Sequence, residues 1–197
     1  MSRPTTSNKG RVVILSGPSG SGKTTLHQAL LESSKLKSRL VKSISVTTRA
    51  RRQGERDGRD YIFLDEKTFA RRILRGYFLE WEKVFDHYYG TPKRRVLNLL
   101  NKGKHVLLCI DVKGAGYVAQ QFPAAIKIFI KPPSMKELQK RLQQRASENH
   151  DSLKMRLGVA KEELKKAKEY DYVLINGSLE KAKSKLQDLV ARLILND

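Results

Sequence analysis

Cysteine is almost absent from this chain of 197 residues, whose single cysteine is Cys109. One cysteine cannot form an intrachain disulfide, so the class of small disulfide-stapled secreted domains is excluded. No apolar run approaches the roughly 20 residues that a membrane-spanning helix needs. Residues 1–10 are polar and lack the apolar centre of a signal peptide. We therefore expect a cytoplasmic protein whose residues 1–10 form a disordered tail.

Acidic residues are also scarce: 20 Asp and Glu stand against 40 Lys and Arg, which gives a formal net charge of +20. Such an excess is typical of nucleic-acid-binding proteins. The basic residues, however, are spread over many predicted helices, and the sequence has no zinc-finger spacing, RNP-like aromatic motif or confined basic arm. We therefore do not expect a nucleic-acid partner. A solvated basic surface and a site for several phosphates remain as explanations.

One glycine-rich stretch lies between an apolar run at residues 12–15 and an amphipathic stretch that begins near Thr25. Its glycines, followed by Lys23 and Thr24, have the spacing of a P-loop. Glycine lets the backbone approach phosphate oxygens, and a helix that starts near Lys23 points its positive end at the same anion. Lys23 would reach the β- and γ-phosphates, and the Thr24 hydroxyl would ligate Mg²⁺. The alternative is a glycine-rich surface turn. The predicted ATP-phosphate loop comprises Gly17, Pro18, Ser19, Gly20, Ser21, Gly22, Lys23, Thr24 and Thr25.

A second cationic stretch, residues 47–61, contains Arg49 and Arg52 and ends at Tyr61. Gly54 and Gly58 interrupt it, so we do not expect a packed element. Guanidinium groups bind phosphate in forked, charge-assisted pairs, which suits this stretch to an anionic ligand. A flexible charged loop is the alternative.

The remaining pattern alternates strands and helices, which predicts a parallel sheet with helices on both faces. Residues 43–90 interrupt this alternation and indicate an inserted mixed α/β lobe. Within it, Asp65 would cap a helix, and a strand at residues 77–84 would place Glu80 and Glu82 on one face. A turn at residues 87–92 would follow, with Thr91 as the cap of the next helix and Pro92 at its first position. Further expected strands are residues 12–16, 41–46, 106–110, 126–130 and 172–175.

Further charged residues lie where phosphates would gather. Asp111 lies at the carboxyl end of a buried strand. In P-loop proteins Mg²⁺ and the phosphates gather at this end of the strand. An Asp there can also cap the next turn. Arg141 and Arg145 share a helix face, and Arg156 follows a polar stretch at residues 146–151 that we interpret as a mobile loop. A mobile arginine-bearing segment is typical of a lid over a transferred group. The P-loop, the second cationic stretch and this lid together predict a small kinase of a phosphorylated acceptor.

At this point the chain resembles the guanylate kinases over residues 11–195. The resemblance is carried by the P-loop, Ser45-Val46-Thr47-Thr48-Arg49 with Arg52, Gly54-Glu55, Gly58-Arg59-Asp60-Tyr61, Phe78-Leu79-Glu80-Trp81, Tyr88-Tyr89-Gly90-Thr91, Ile110-Asp111-Val112-Lys113-Gly114, and the stretch from Arg141 to Arg156. It implies transfer of the ATP γ-phosphoryl group to GMP or dGMP, with Mg²⁺, by a monomer or homodimer with no membrane partner. It also implies a P-loop three-layer α/β fold: a parallel-sheet core (11–42, 91–133 and 157–197), a GMP-binding lobe (43–90) and a helical lid (about 134–156).

The resemblance assigns roles to the matching residues. Arg49, Arg52, Tyr61 and Tyr89 would hold the GMP phosphate, while Ser45, Glu80 and Thr91 would face the guanine. Lys23, Arg141, Arg145 and Arg156 would stabilise charge on the transferring phosphoryl group, with Asn176 close to the nucleotides and Asp111 near nucleotides and metal. An ionised Glu80 would accept from the adjacent N1–H and N2–H₂ donors of guanine, a donor pair that adenine lacks.

The sequence also departs from the family pattern. Cys109 stands where the family usually has an acidic residue, and Asn176-Gly177 replaces Asn-Asp. Ala146-Ser147 replaces the usual lid glycine and its neighbour, and prolines are missing around Arg51 and Gln53. None of these changes removes a phosphate-binding cation. Three other functions stay open: a non-catalytic interaction module of this fold, a related P-loop kinase with another phosphorylated acceptor, and a basic nucleic-acid-binding P-loop protein.

Overall fold

Two β-sheets organise the chain, one of five strands and one of four. The computed structural model describes residues 9–84, 86–145 and 150–195, without the side chains of residues 145 and 150–152. The strands are β1 (Val12–Ser16), β2 (Leu40–Lys42), β3 (Val46–Thr47), β4 (Ile62–Phe63), β5 (Phe78–Val84), β6 (His87–Pro92), β7 (His105–Cys109), β8 (Ile126–Lys131) and β9 (Tyr172–Ile175). The helices are α1 (Lys23–Glu32), α2 (Glu66–Leu74), α3 (Lys93–Asn101), α4 (Val112–Gln121), α5 (Met135–Arg145), α6 (His150–Lys165) and α7 (Leu179–Leu195), with a short 3-10 helix at Lys166–Glu169.

The five-stranded sheet has the order β2-β7-β1-β8-β9, and its strands run parallel. Its central strand β1 is buried along its whole length because helices cover both faces. Leu26 of α1 and Leu186 of α7 pack on one face, and Val96 of α3 and Val118 of α4 pack on the other. A parallel sheet requires this double cover. The predicted three-layer α/β fold is confirmed.

The four-stranded sheet has the order β4-β3-β6-β5 and is mixed, since β3 pairs in parallel with β4 and antiparallel with β6. Helix α2 covers one of its faces through Phe69, whose ring stacks on Phe78 at 4.5 Å and on Tyr88 at 5.4 Å between centroids. Asp65 caps α2 as predicted, since its side chain accepts a hydrogen bond from the Thr68 N–H at 2.8 Å. This sheet is the mixed α/β lobe that the sequence indicated.

The predicted strand at residues 41–46 is wrong, because the chain leaves one sheet and enters the other within that stretch. Strand β2 pairs with β7 in the parallel sheet, and β3 pairs with β4 and β6 in the mixed sheet. Residues 43–45 connect the two sheets. Alternating apolar residues indicate which side chains face a core, but they do not indicate which sheet the strand belongs to.

The predicted turn at residues 87–92 is also wrong, because these residues form strand β6 and pair with β5. Thr91 does not cap α3: its hydroxyl donates to Glu80 across the two strands. Pro92 is the residue before the helix rather than its first residue. The pairing with β5 therefore outweighs the local helix-start signal.

Two further differences lie around Asp111 and before Arg156. Helix α4 was not expected, since its glycines Gly114 and Gly116 lower its helix propensity. The predicted loop at residues 146–151 is too long, because His150 and Asp151 already belong to α6, while residues 146–149 lie outside the described part. Most of the predicted tail, residues 1–8, also lies outside it. Within the described ranges, no helix has both the length and the apolarity to cross a membrane.

Candidate active site

The predicted P-loop connects β1 to α1 and depends on glycine. Gly17, Gly20 and Gly22 have φ values of 141, 83 and 93°, which L side chains rarely adopt. A Cβ at Gly17 would lie 2.2 Å from the Ile130 carbonyl oxygen, so no larger residue fits there. The loop thus wraps closely around the amino-terminal end of α1, where unpaired backbone N–H groups and the helix dipole favour an anion.

Lys23 opens helix α1 and folds back over the loop. Its ammonium group donates to the carbonyl oxygens of Gly17 and Pro18, the latter at 3.0 Å. Thr24 and Thr25 follow in the first turn and are exposed. The loop therefore presents a cation and two hydroxyl-bearing residues at one helix end, as the sequence predicted.

Asn176 braces the P-loop from the end of β9. The residue is buried, and its side-chain amide donates to the Ser21 carbonyl at 2.9 Å. A Cβ at Gly22 would lie 2.2 Å from the same amide nitrogen, so this contact requires glycine. Arg141 of α5 donates to the Asn176 carbonyl at 3.0 Å and to Glu137 at 2.9 Å. Asn176 therefore connects the P-loop to Arg141.

Helix α6 brings a second arginine to the loop. Arg156 donates from Nη2 to the Ser19 hydroxyl at 2.8 Å. Arg145 ends α5, but its side chain lies outside the described part of the structure. Of the three predicted lid arginines, two therefore contact the P-loop or its brace.

Glu163 is a candidate site residue that the sequence analysis missed. It lies seven residues, two helical turns, after Arg156, on the side of α6 that also buries Ala160. Burial raises the pKa of its carboxyl group to about 7, while Lys23 lowers it and Asp111 raises it. Glu163 thus lies in the electrostatic field of the P-loop lysine. Its spacing from Arg156 was the signal that could have indicated it.

The second cationic stretch is organised by Glu55. Arg49 is nearly buried and donates from Nη2 to both Glu55 carboxylate oxygens, at 2.7 and 3.0 Å. The Arg52 N–H donates to the same carboxylate at 2.8 Å, but the Arg52 side chain is exposed. In the sequence Glu55 belongs to the Gly54-Glu55 motif, but no local signal indicates this positioning role.

Arg49 lies next to two tyrosines. Its guanidinium carbon is 5.6 Å from the centre of the Tyr61 ring, and the Tyr61 and Tyr89 rings meet edge to face at 6.1 Å. Burial raises the pKa of Tyr61 to about 12. Partial burial lowers the pKa of Arg49, but the hydrogen bond to Glu55 and the charge of that carboxylate outweigh burial and raise the pKa. The structure thus gathers Arg49, Tyr61 and Tyr89, as expected for a phosphate-binding group.

Glu80 and Thr91 form a buried pair on strands β5 and β6. The Thr91 hydroxyl donates to Glu80 Oε1 at 2.5 Å, and Glu80 is only 7% exposed. Burial raises the pKa of Glu80 to about 7; the Thr91 hydrogen bond opposes the shift, and Asp111 and Glu82 add to it. Ser45, the third predicted guanine contact, is half-buried at the entrance to β3. A buried carboxylate that titrates near neutral pH is typical of functional sites.

Asp111 follows the alternative that the sequence left open, because it caps helix α4. Its Oδ1 accepts from the N–H groups of Lys113 and Gly114 at 2.8 and 2.9 Å. Asp111 nevertheless lies close enough to Glu80 and Glu163 to raise the pKa of both. It therefore influences both halves of the site through its charge.

Comparison with known proteins identifies the family of this chain. The sequence model of the guanylate kinase family matches residues 9–193. The chain belongs to the guanylate kinase family. A guanylate kinase from Caldanaerobacter subterraneus subsp. tengcongensis is 45% identical over 182 residues, 92% of this chain and 87% of that protein. A guanylate kinase from Rickettsia bellii is 43% identical over 171 residues, 87% of this chain and 88% of that protein.

A solved structure supports the same conclusion for the fold. The crystal structure of guanylate kinase from Anaplasma phagocytophilum superimposes with a TM-score of 0.77 at 34% identity, over 94% of this chain and 87% of that one. The resemblance to guanylate kinases inferred from the motifs is therefore confirmed.

The position of Glu80 in this guanylate kinase fold depends on Gly114. A Cβ at Gly114 would lie 2.9 Å from Glu80 Oε2, so Gly114→Ala should push the carboxylate away. We expect the KM for GMP to rise about tenfold, the effect of losing about 1.4 kcal/mol of binding, while the KM for ATP stays unchanged. Gly116→Ala is the matched control, because nothing lies near a Cβ there. Equal KM values for GMP in the two variants would contradict the prediction.

The raised pKa of Glu80 predicts that GMP binding depends on pH. Only the ionised carboxylate accepts from both guanine donors, so the KM for GMP should fall as pH rises from 6 to 8, through the Glu80 pKa of about 7. The GMP phosphate also ionises near pH 6, so steady-state kinetics should compare the protein with its Glu80→Gln variant. In the variant, the pH dependence that comes from the GMP phosphate should remain, and the pH dependence that comes from Glu80 should disappear. Identical pH profiles would show that Glu80 does not titrate in the site.

Proposed function

We propose that this chain transfers the γ-phosphoryl group of ATP to GMP or dGMP, producing ADP and GDP or dGDP. The observation that carries the proposal is the buried Glu80–Thr91 pair, because a buried carboxylate accepts best from a base with two adjacent donors. Membership of the guanylate kinase family supports the same reaction.

The donor nucleotide would lie at the P-loop. The backbone N–H groups at residues 17–25 would hold the phosphates, and Lys23 would approach the β- and γ-phosphates from the start of α1. Arg141 and Arg156 contact Asn176 and Ser19, so both guanidinium groups are held beside the loop. Their charges, with that of Arg145, would neutralise the phosphoryl group during transfer.

The acceptor would lie between the mixed sheet and the core. Arg49, oriented by Glu55, would bind the GMP phosphate with Tyr61 and Tyr89, and Arg52 would reach it from the loop. Glu80, Thr91 and Ser45 would bind the guanine edge. No general base is needed, because the attacking phosphate oxygen is already ionised, so in-line positioning and charge neutralisation supply the catalysis.

Of the two residues predicted near Mg²⁺, Thr24 is available as a ligand and Asp111 is not. The exposed Thr24 hydroxyl at the start of α1 can ligate it, while Asp111 Oδ1 is engaged by α4, so Asp111 would act indirectly through its charge. Among the described residues, no three His, Cys, Asp or Glu side chains cluster as metal ligands. When bound, Mg²⁺ would neutralise phosphate charge, with the nucleotides providing most of its ligands.

The test is ADP release from ATP and Mg²⁺ with GMP, dGMP, AMP, CMP and UMP offered in turn. We expect release with GMP or dGMP and only background release with the other acceptors or with none. Equal release without an acceptor would indicate an ATPase, and no release at all would indicate a non-catalytic module. The division into a core, a GMP-binding lobe and a lid, the oligomeric state and the cytoplasmic location remain predictions.

A further inference from the structure

Part of the positive charge of the chain collects on a surface that the proposed reaction does not use. Residues 67–79 and 87–110 contain no Asp or Glu. The two segments meet in the fold, where the Lys93 N–H donates to the Tyr77 carbonyl at 2.9 Å. The cations of the two segments are Lys67, Arg71, Arg72, Arg75, Lys93, Arg94, Arg95, Lys102 and Lys104.

A groove of about 480 Å³ lies where these segments meet, and we name it the α2–α3 groove. Ile62, Tyr77 and Leu99 give it an apolar and aromatic floor, and Arg94, Arg95 and Lys102 line it from α3. At its α2 side, the Arg72 guanidinium carbon lies 4.6 Å from the centre of the Tyr77 ring. The groove therefore combines four cations with an accessible aromatic ring.

The α2–α3 groove opens on the face of the mixed sheet opposite the candidate active site. Ile62 and Tyr88 pack with Phe69 on the α2 side of the sheet. Their strand neighbours Tyr61 and Tyr89 point to the other side, because successive side chains of a strand alternate. A ligand in the groove would therefore not occupy the proposed GMP site.

The cations of the groove differ from other surface cations in their ion pairing. Within the described part of the chain, none of Arg72, Arg94, Arg95 and Lys102 forms a salt bridge, whereas Lys113, Lys165 and Lys183 each pair with a glutamate. A concentrated positive field without counter-charges attracts polyanions and releases their counterions on binding.

We infer that the α2–α3 groove binds single-stranded nucleic acid. Cations along a groove track the phosphate backbone, and an aromatic and apolar floor accepts unpaired bases by stacking, which is the pattern of single-strand binding. A duplex presents phosphates at its surface and would leave Tyr77 and the apolar floor unused. This inference departs from the expectation drawn from the sequence, in which basic residues spread over many predicted helices argued against a nucleic-acid partner.

Fluorescence anisotropy with labelled single-stranded RNA, single-stranded DNA and duplex DNA of equal length tests the inference. The variant is Arg94→Gln/Arg95→Gln/Lys102→Gln. Its matched control is Lys168→Gln/Lys181→Gln/Lys185→Gln, which removes the same charge from exposed positions on another surface. We expect the groove variant to bind single strands at least about tenfold more weakly, with a salt slope smaller by about 2, the value for three lost phosphate contacts. The control variant should bind within about twofold of the unmodified protein.

Tyr77→Leu separates stacking from charge and should weaken single-strand binding about fivefold or more, because leucine removes the aromatic face on which a base stacks. Tighter binding of single-stranded RNA than of single-stranded DNA, or the reverse, would support the inference and identify which of the two nucleic acids the groove prefers. Equal losses in the groove and control variants, tighter binding of duplex, or equal displacement by polyglutamate would each overturn it. GMP phosphorylation by the groove variant should match that of the unmodified protein, so the outcome does not depend on the proposed reaction.

Discussion

Replacing Lys23 with alanine lowers the turnover number with ATP and GMP by at least about 10²-fold, the size of effect seen when one transition-state charge stabiliser is removed. Lys23 opens α1 and reaches over the loop to the Gly17 and Pro18 carbonyls, so its ammonium group is already held where phosphates would lie. The KM for GMP should change little, because the acceptor contacts come from other residues. Coupled measurement of ADP release gives both constants.

Lys35→Ala is the matched control for this variant. Lys35 is exposed and pairs with Asp188 on the surface at 3.3 Å, an interaction that contributes little. Its turnover number should stay within about twofold of the unmodified value, and thermal melting should show that both variants fold. If Lys23→Ala turned over GMP at a near-normal rate, the P-loop lysine would have no place in the mechanism.

The second large effect is expected for Glu80→Gln, which should lower kcat/KM for GMP by about 10- to 100-fold. Glutamine keeps the shape but offers one acceptor and one donor to two guanine donors, and a hydrogen bond to a charged group is worth about 1.5–3 kcal/mol. The KM for ATP should not change. Glu82→Gln is the control, since Glu82 lies on the same face of β5 but pairs with the exposed Lys113.

The same variant gives two further readouts. Inosine monophosphate lacks the 2-amino group, so the unmodified protein should prefer GMP to it and Glu80→Gln should lose most of that preference. Burial raises the pKa of Glu80 from an ordinary 4.5 to about 7 in the fold, so the buried side chain prefers to be protonated. The contribution of Glu80 to the free energy of unfolding is therefore highest below pH 4.5 and falls as pH rises through 7, because the carboxylate must then be ionised inside the fold. Glu80→Gln should therefore unfold at higher urea than the unmodified protein at pH 8. Unchanged preference between the acceptors would contradict the role of Glu80.

The sequence predicted the strand, glycine-rich loop and helix of the P-loop because its signals are local. The P-loop depends on glycine spacing, and the structure has Gly17 and Gly22 in contacts that no side chain permits. The cationic stretch itself indicated Arg49, Arg52 and Tyr61, whereas the family resemblance was needed to assign acceptor roles to Ser45, Glu80, Tyr89 and Thr91. The bond between Thr91 and Glu80 joins residues on two paired strands, and the local sequence around Thr91 and Pro92 favoured a helix cap instead. The pairing of β5 with β6 therefore determines the role of Thr91.

Other features were missed because they depend on which elements meet. Glu163 reaches the field of Lys23 only because α6 packs its Arg156 side toward the P-loop. The cations of the α2–α3 groove come from two segments that appear unrelated in the sequence. Propensity and spacing do not contain this information, since it arises from tertiary packing.

One incubation tests the central claim most directly. The protein is mixed with Mg²⁺, ATP radiolabelled at the γ-phosphate, and equal concentrations of GMP, AMP, CMP and UMP, and the labelled nucleoside diphosphates are separated. The ADP that leaves from ATP carries no label, so label in ADP would report transfer to AMP. We predict that the label appears in GDP, with the other diphosphates lower by about 10⁴-fold, as expected when a buried polar group must otherwise stay unpaired. Label spread equally over the four diphosphates, or found only in inorganic phosphate, would contradict transfer to a guanine nucleotide.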